Sequence, residues 1–105
     1  MAQFDVYINT NPNSKSIYPY IIDIQSSLLE SLDTRLVIPL IQSAKFGDKA
    51  IKNLTPSILV KGQSFFVLSP QIAAIHKKNL GKLVENCISY RQTIISSVDF
   101  LITGF

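Results

Sequence analysis

Apolar and polar residues alternate along the first part of the chain. Across Gln3–Asn9, Phe4, Val6 and Ile8 stand against Asp5 and Tyr7, the period of two that a half-buried strand requires. Asn11-Pro12-Asn13-Ser14 breaks the pattern with loop chemistry. Ile17–Ile24 is rich in aromatic and β-branched residues and predicts a second strand, with Pro19 confining its start to an edge or a bulge. Gln25–Asp33 is a polar connection interrupted by Leu28-Leu29, and adjacent leucines rarely both face one core, so one of them is expected to be exposed. Thr34–Ile41 carries the strongest strand pattern, and Pro39 near its end predicts a bulge or a bend. Ser43–Leu54 is weakly patterned and reads as a short helix or a long connection. Ser57–Lys61 and Ser64–Leu68 form a hairpin candidate across Gly62-Gln63. Ile72–Ile75 is apolar, and Gly81 reads as a turn before Leu83-Val84.

Only the last stretch, Asn86–Phe105, has sustained helical spacing. Ile88, Ile94, Ile95, Val98, Leu101, Ile102 and Phe105 follow the three-and-four rhythm of an amphipathic helix. Asn86, or Ser89 with Gln92 in a capping box, fits its start, and Gly104 its stop. Ile94, Val98 and Leu101 share the side expected to lie on a core. Arg91, Ile95, Asp99 and Thr103 form a neighbouring row, with Ile102 beside them, which exceeds what one buried face needs. Terminal residues fray unless held. A chain ending Phe-Leu-Ile-Thr-Gly-Phe therefore buries its end in its own core, in a copy of itself or in a partner.

The predicted fold is mainly β: several short strands and one C-terminal helix, without strand–helix alternation. That excludes a doubly wound α/β fold and favours a small, strongly bent antiparallel sheet or barrel capped by the helix. With 105 residues the chain suits a single domain, residues 1–105, with one core. At 47% apolar and 16% charged residues it should fold rather than remain disordered. No apolar run approaches the ~20 residues of a membrane span, and the start lacks the basic region of a signal peptide. Cys87 is alone and has no partner for an internal disulfide, so a cytoplasmic location is expected.

The net charge of +3 is unevenly placed. Lys45, Lys49, Lys52, Lys61, Lys77, Lys78 and Lys82 face the single acid Asp48 between them, while the flanking segments are slightly acidic. A basic middle favours an acidic partner, protein or nucleic acid, or else is a solvated face. Without interleaved aromatics beyond Phe65 and Phe66, a nucleic-acid platform is weakly supported, and no sequence-specific nucleic-acid binding is expected. His76 is the only histidine, so no metal site is predicted. No phosphate-binding or nucleophile motif occurs, and the carboxylates are scattered, so neither a cofactor nor a catalytic residue is predicted.

Three blocks taken together carry a resemblance. They are Gln3-Phe4-Asp5-Val6-Tyr7, then Ile22-Asp23-Ile24-Gln25-Ser26 followed by Arg35-Leu36-Val37-Ile38-Pro39-Leu40, and the helix ending hydrophobic–x-Gly-hydrophobic at the last residue. In this order and spacing the chain resembles the CcdB family of toxins, which poison DNA gyrase within toxin–antitoxin modules; Ser43–Leu83 matches least. The resemblance implies an SH3-like small antiparallel barrel (CcdB/MazF-like) with a small extra sheet and a C-terminal helix, forming a homodimer. It implies a toxin that is not an enzyme but binds the gyrase A subunit and traps the complex in which both DNA strands are cut, by binding that state better. It also implies neutralisation by an acidic antitoxin whose disordered tail folds onto the toxin. Such a tail suits the lysine-rich middle, with Lys45, Lys49 and Lys52 as expected contacts.

Carried over residue by residue, the family's gyrase-contacting isoleucine pair falls on Leu28 and Leu29. The exposed helix positions fall on Asp99 and Ile102, the terminal three on Thr103, Gly104 and Phe105, and Arg91 occupies a helix position near the same surface. These are nearly the residues that the helical reading left without a use. The familiar family ending is Trp-Gly-Ile, whose tryptophan stacks on an arginine of gyrase, whereas this chain ends Thr103-Gly104-Phe105. Losing such a stack costs roughly 1–2 kcal/mol per site, which opens the alternative of a gyrase-inactive relative that binds only its antitoxin. A second alternative is a MazF-like mRNA endonuclease, in which Arg35 and a few hydroxyls would have to act. A third is a basic barrel that binds nucleic acid without catalysis, with steep salt dependence.

Overall fold

The computed structural model describes residues 2–104. In chain order its strands are β1 (Asp5–Asn9), β2 (Tyr20–Asp23), β3 (Thr34–Gln42), β4 (Ser57–Val60), β5 (Gln63–Val67), β6 (Ala73–His76) and β7 (Leu80–Asn86). The helices are α1 (Ser43–Phe46) and α2 (Arg91–Thr103). All the pairings are antiparallel, in the order β4-β5-β3-β2-β1-β7, with β6 added alongside the first half of β3.

β3 is the hub because it is long and changes partner. Thr34–Val37 pair with β6, Leu40–Gln42 pair with β5, and Ile38-Pro39 lie at the changeover. No bulge marks Pro39, since β2 pairs straight through it; a residue without an N–H stands instead where the other edge of β3 is handed from one strand to the next. The small extra sheet is the wing that β6 makes on β3.

The sheet curls around a core of Phe4, Val6, Ile22, Ile24, Ile38, Leu40, Ile58, Val60, Phe65, Val67, Cys87 and Ile94. Its two edges meet through side chains rather than a ladder. The Lys61 N–H donates to Glu85 Oε1, and the Leu59 N–H donates to the Tyr90 hydroxyl at 3.2 Å. This makes a half-barrel whose seam is satisfied at the polar groups that edge strands otherwise leave open.

The hairpin turns on Lys61-Gly62 rather than Gly62-Gln63. Both residues have positive φ (51° and 77°), the twist-matched turn of a two-residue hairpin. The alternation read in β1 is corrected. Asp5 and Tyr7 are buried as well as Phe4 and Val6, whereas Ile8 is exposed. The reason is position: β1 is an interior strand, and its second face is covered by a smaller cluster of Tyr7, Ile21 and Val37. Gly81 lies inside β7 and not in a turn. A Cβ there would collide with the Ile8 carbonyl oxygen, so close backbone approach explains the glycine.

Candidate functional site

Both leucines of the Leu28-Leu29 pair are exposed, Leu28 at 93% and Leu29 at 47%, so the expectation of one exposed leucine understates what is found. They stand on a single 3-10 turn, Ser27–Leu29, and its local bonding explains why neither folds inward. Ser26 Oγ accepts from the Leu28 N–H at 3.2 Å, and Gln25 Nε2 donates to the Leu29 carbonyl at 3.1 Å. The backbone is thus tied to its own stem, which leaves the side chains projecting.

α2 begins later than its spacing suggested. Ile88–Tyr90 form a 3-10 turn first, started by Asn86, whose Oδ1 accepts from the Ile88 N–H at 3.0 Å. The Ser89–Gln92 capping box does not form, since Tyr90 is the N-cap and offers no side-chain bond. Gly104 ends the helix as expected, with φ 79° and its N–H donating to the Phe100 carbonyl.

The core-facing side of α2 is also corrected. Ile94 and Ser97 are its buried residues, Val98 is half-buried, and Leu101 is exposed. The helix crosses the 3-10 turn Ser69–Gln71, where Ser69 meets Ser97, and its last turn runs past the core. Arg91, Asp99, Thr103 and Gly104 are exposed, and Ile102 is 75% exposed. The Thr103 hydroxyl donates to the Asp99 carbonyl at 2.8 Å, joining two residues of the expected row. Phe105 lies outside the described residues. The expected site residues thus occupy two elements. The leucine turn bonds back to Ser26 and Gln25, and α2 is seated on the Ser69–Gln71 turn.

The other face of the sheet carries a cleft of about 550 Å3. Its floor is apolar (Ile21, Val37, Pro39, Ala73, Ile75) and its rim carries amides and hydroxyls (Asn9, Thr10, Asn11, Ser14, Gln71, Asn79). The loop from Asn11 to Pro19 forms one wall and is pinned on two sides. Lys45 Nζ on α1 lies 3.5 Å from the Ser16 carbonyl, and the Thr10 hydroxyl just before the loop donates to the Asn79 carbonyl at 2.8 Å. Lys45, Lys49 and Lys52 are all exposed on α1 and the segment that follows it; Lys45 reaches the Asn11–Pro19 loop at Ser16, outside the residues that line the cleft.

Beneath the sheet's smaller cluster lies a group that sequence reasoning missed. Arg35 and Asp23 are wholly buried, with both Nε and Nη2 2.8 Å from Asp23 Oδ2. Asp23 Oδ1 accepts from the Gln25 N–H at 3.0 Å, and Gln25 Oε1 accepts from the Leu36 N–H, knitting the ends of β2 and β3 together. Arg35 Nη1 is buried with no acceptor. Burial pushes the Asp23 carboxyl above its ordinary value, against the opposite pull of the Gln25 N–H and Arg35. Nearby, the Tyr7 hydroxyl donates to Asp5 Oδ2 at 3.2 Å, and burial first and Asp5 second raise it to about 12. The available signal was a charge inside each of two apolar strands, Asp23 and Arg35. Arg35, on which the mRNA-endonuclease alternative depends, is closed to solvent and held by a carboxylate.

His76 is exposed, and its Nδ1 accepts from the Lys78 N–H at 3.2 Å. No cluster of metal-binding side chains occurs among the described residues. Cys87 is buried, and burial raises its thiol to about 11, the character of an inert core thiol rather than a nucleophile. No helix among the described residues is long and apolar enough to cross a membrane. Compared with known families, residues 3–104 match the family model described as "CcdB protein".

Proposed function

The chain belongs to the CcdB family, and from that premise we propose that it poisons gyrase by binding, as a homodimer, to the A subunit and trapping the cleaved DNA complex. Membership carries the general character of a gyrase-directed toxin of a toxin–antitoxin module. The contact surface we assign to this chain is Leu28, Leu29, Arg91, Asp99, Ile102, Thr103, Gly104 and Phe105.

One observation carries the assignment. Leu28 and Ile102 are the two most exposed large hydrophobic residues described, at 93% and 75%, and both fall on positions that the family uses for gyrase. Fully burying a leucine or isoleucine against a partner is worth about 1.5–3 kcal/mol. Two such anchors, duplicated in a homodimer, can bias gyrase toward the one state that accepts them. No bond is made or broken by the toxin in this reading.

The antitoxin reading rests on a second surface. The cleft of about 550 Å3 pairs an apolar floor with amide edges, and Lys45 holds the loop beside it at Ser16. An extended segment with alternating acidic and apolar residues matches that chemistry. Lys49 and Lys52 extend the positive charge along the chain from α1.

The test is gyrase cleavage. Purified protein is incubated with gyrase and supercoiled plasmid, and linear DNA is scored after denaturation. The expected result is dose-dependent linear DNA, lost when Thr103–Phe105 are removed while fold and antitoxin binding persist. A truncated chain that still linearises the plasmid removes the helix end from the site. Intact protein that gives no linear DNA but binds antitoxin establishes the gyrase-inactive alternative.

A further inference from the structure

We propose that Ser69 and Ser97 form a latch that positions the last turn of α2, a role that rests on the gyrase-binding reading above. Both hydroxyls are buried, and their oxygens are 2.6 Å apart. Ser97 Oγ is also 2.7 Å from the Ile94 carbonyl, which can only accept. A serine hydroxyl has one hydrogen. Ser97 therefore donates to Ile94, and Ser69 must donate to Ser97, so the chain runs in one direction and leaves neither hydroxyl unpaired.

Its place in the helix gives this chain a purpose. Ile94 and Ser97 are the buried residues of α2, and Ser97 is the later of the two. Beyond it, Leu101 and Ile102 are exposed. Apolar burial of Ile94 fixes position but not direction, whereas a hydrogen bond has a preferred line. Ile95 and Val98 pack against the core beside Ile94, and the Ser69–Ser97 contact adds to that packing a directed constraint on the rotation of α2 about its axis. At 3.6 residues per turn, Asp99 lies about 200° and Ile102 about 140° round from Ser97, so seating Ser97 inward turns both outward. Ser69 is itself held by the sheet. The residue before it, Leu68, donates its N–H to the Pro39 carbonyl on β3 at 3.1 Å, and the Ile72 N–H donates to the Ser69 carbonyl. The latch thus refers the helix end to the hub strand.

The double variant Ser69→Ala/Ser97→Ala tests this, because removing both hydroxyls leaves no buried group unpaired and keeps the fold near its original stability. Three quantities are measured: the urea midpoint, amide hydrogen exchange over Asp99–Thr103, and the dose giving half-maximal linear DNA with gyrase. The expected outcome is an unchanged midpoint, exchange faster by about three- to tenfold, and a dose higher by about three- to tenfold. The single variant Ser97→Ala, which strands the Ser69 hydroxyl, should lower the midpoint as well. The latch is refuted if the double variant exchanges and poisons like the parent, or if the dose follows the midpoint alone across the variants. Should the parent fail to cleave, the gyrase reading falls, and exchange over Asp99–Thr103 still decides the latch.

Discussion

Arg35 and Leu28 sit a short distance apart in the chain and are placed the wrong way round for a simple globule. The guanidinium is sealed inside the molecule and the leucine is almost wholly in water. The two have different causes. Arg35 is held in by two short bonds to Asp23, with Gln25 completing the join between β2 and β3. Leu28 is held out by a 3-10 turn tied to Ser26 and Gln25. Gln25 takes part in both: its backbone and Oε1 serve the buried pair, while its Nε2 braces the leucine turn. The comparison teaches that the charge is inside to fix the loop stem, and that the stem presents the apolar turn.

The largest effect is expected from breaking the buried side of this contrast. Arg35→Ala leaves Asp23 charged and unpaired in the interior and should cost about 3–5 kcal/mol, read from urea unfolding. Replacing both partners, as Arg35→Met with Asp23→Leu, should recover part of that loss, because no buried charge and no unpaired Nη1 remain, while the Gln25 N–H that Asp23 Oδ1 accepted is left open at about 1–3 kcal/mol. A double variant as damaged as the single one would mean that the pair supplies net stability. If the stem has the role assigned to it, the double variant should also poison gyrase less well at equal stability.

The same contrast recurs within α2. Ile94 and Ile102 are the same residue type on the same helix, one fully buried and one three-quarters exposed. Ile94→Ala opens a cavity in the main core and should cost about 2–5 kcal/mol by thermal or urea unfolding. An effect below 1 kcal/mol would mean that α2 is held at its 3-10 turn and serine latch rather than by the core.

The sequence made the frame legible where local rules and tertiary context agree. Alternation, turn residues and helical spacing locate β1 to β5, the hairpin and α2, and Gly104 marks the stop, whereas β7 runs straight through the turn expected at Gly81. The sequence misleads where a strand has two covered faces: alternation makes β1 half-buried because it says nothing about a second cluster on its far side. Spacing points Leu101 inward because it fixes which residues share a face, but not how far the core extends beneath it. Ser97 was invisible for the converse reason, since a serine on a helix carries no burial signal until a partner such as Ser69 arrives from elsewhere in the chain. The cleft was equally hidden, as its walls come from segments distant in sequence. Leu28-Leu29 was legible as an anomaly, but its assignment came from family resemblance and not from spacing.

A pH titration sharpens the contrast on the buried side. Tyr7 is raised from 10.0 to about 12, by burial first and by Asp5 second. Its proton is held more tightly in the folded state than in the unfolded one. The associated stability is therefore complete below about pH 10 and is lost as pH rises from about 10 toward 12. Urea midpoints measured across that window should fall for the parent and fall less for Tyr7→Phe, which has no proton to lose. Parallel curves would remove Tyr7 from the linkage.

The smallest effect on stability is expected at the exposed end of the comparison, and it separates fold from function. Leu28→Ser and Ile102→Ser each remove apolar surface that is already in water, so the urea midpoint should move by no more than about 0.5 kcal/mol equivalent. Binding should behave differently. If each side chain becomes buried against gyrase, its loss removes about 1.5–3 kcal/mol per site, and the dose for half-maximal linear DNA should rise by roughly ten- to a hundredfold. A substitution at either position that changed stability and poisoning together would show that the residue already belongs to the toxin's own packing, including packing against a second copy. Loss of poisoning at constant stability and constant oligomeric size would place the contact on gyrase. Leu28 and Ile102 stand on different elements, so a double variant adds the final discrimination: additive losses mean two independent anchors, and a loss no greater than the larger single effect means one shared pocket.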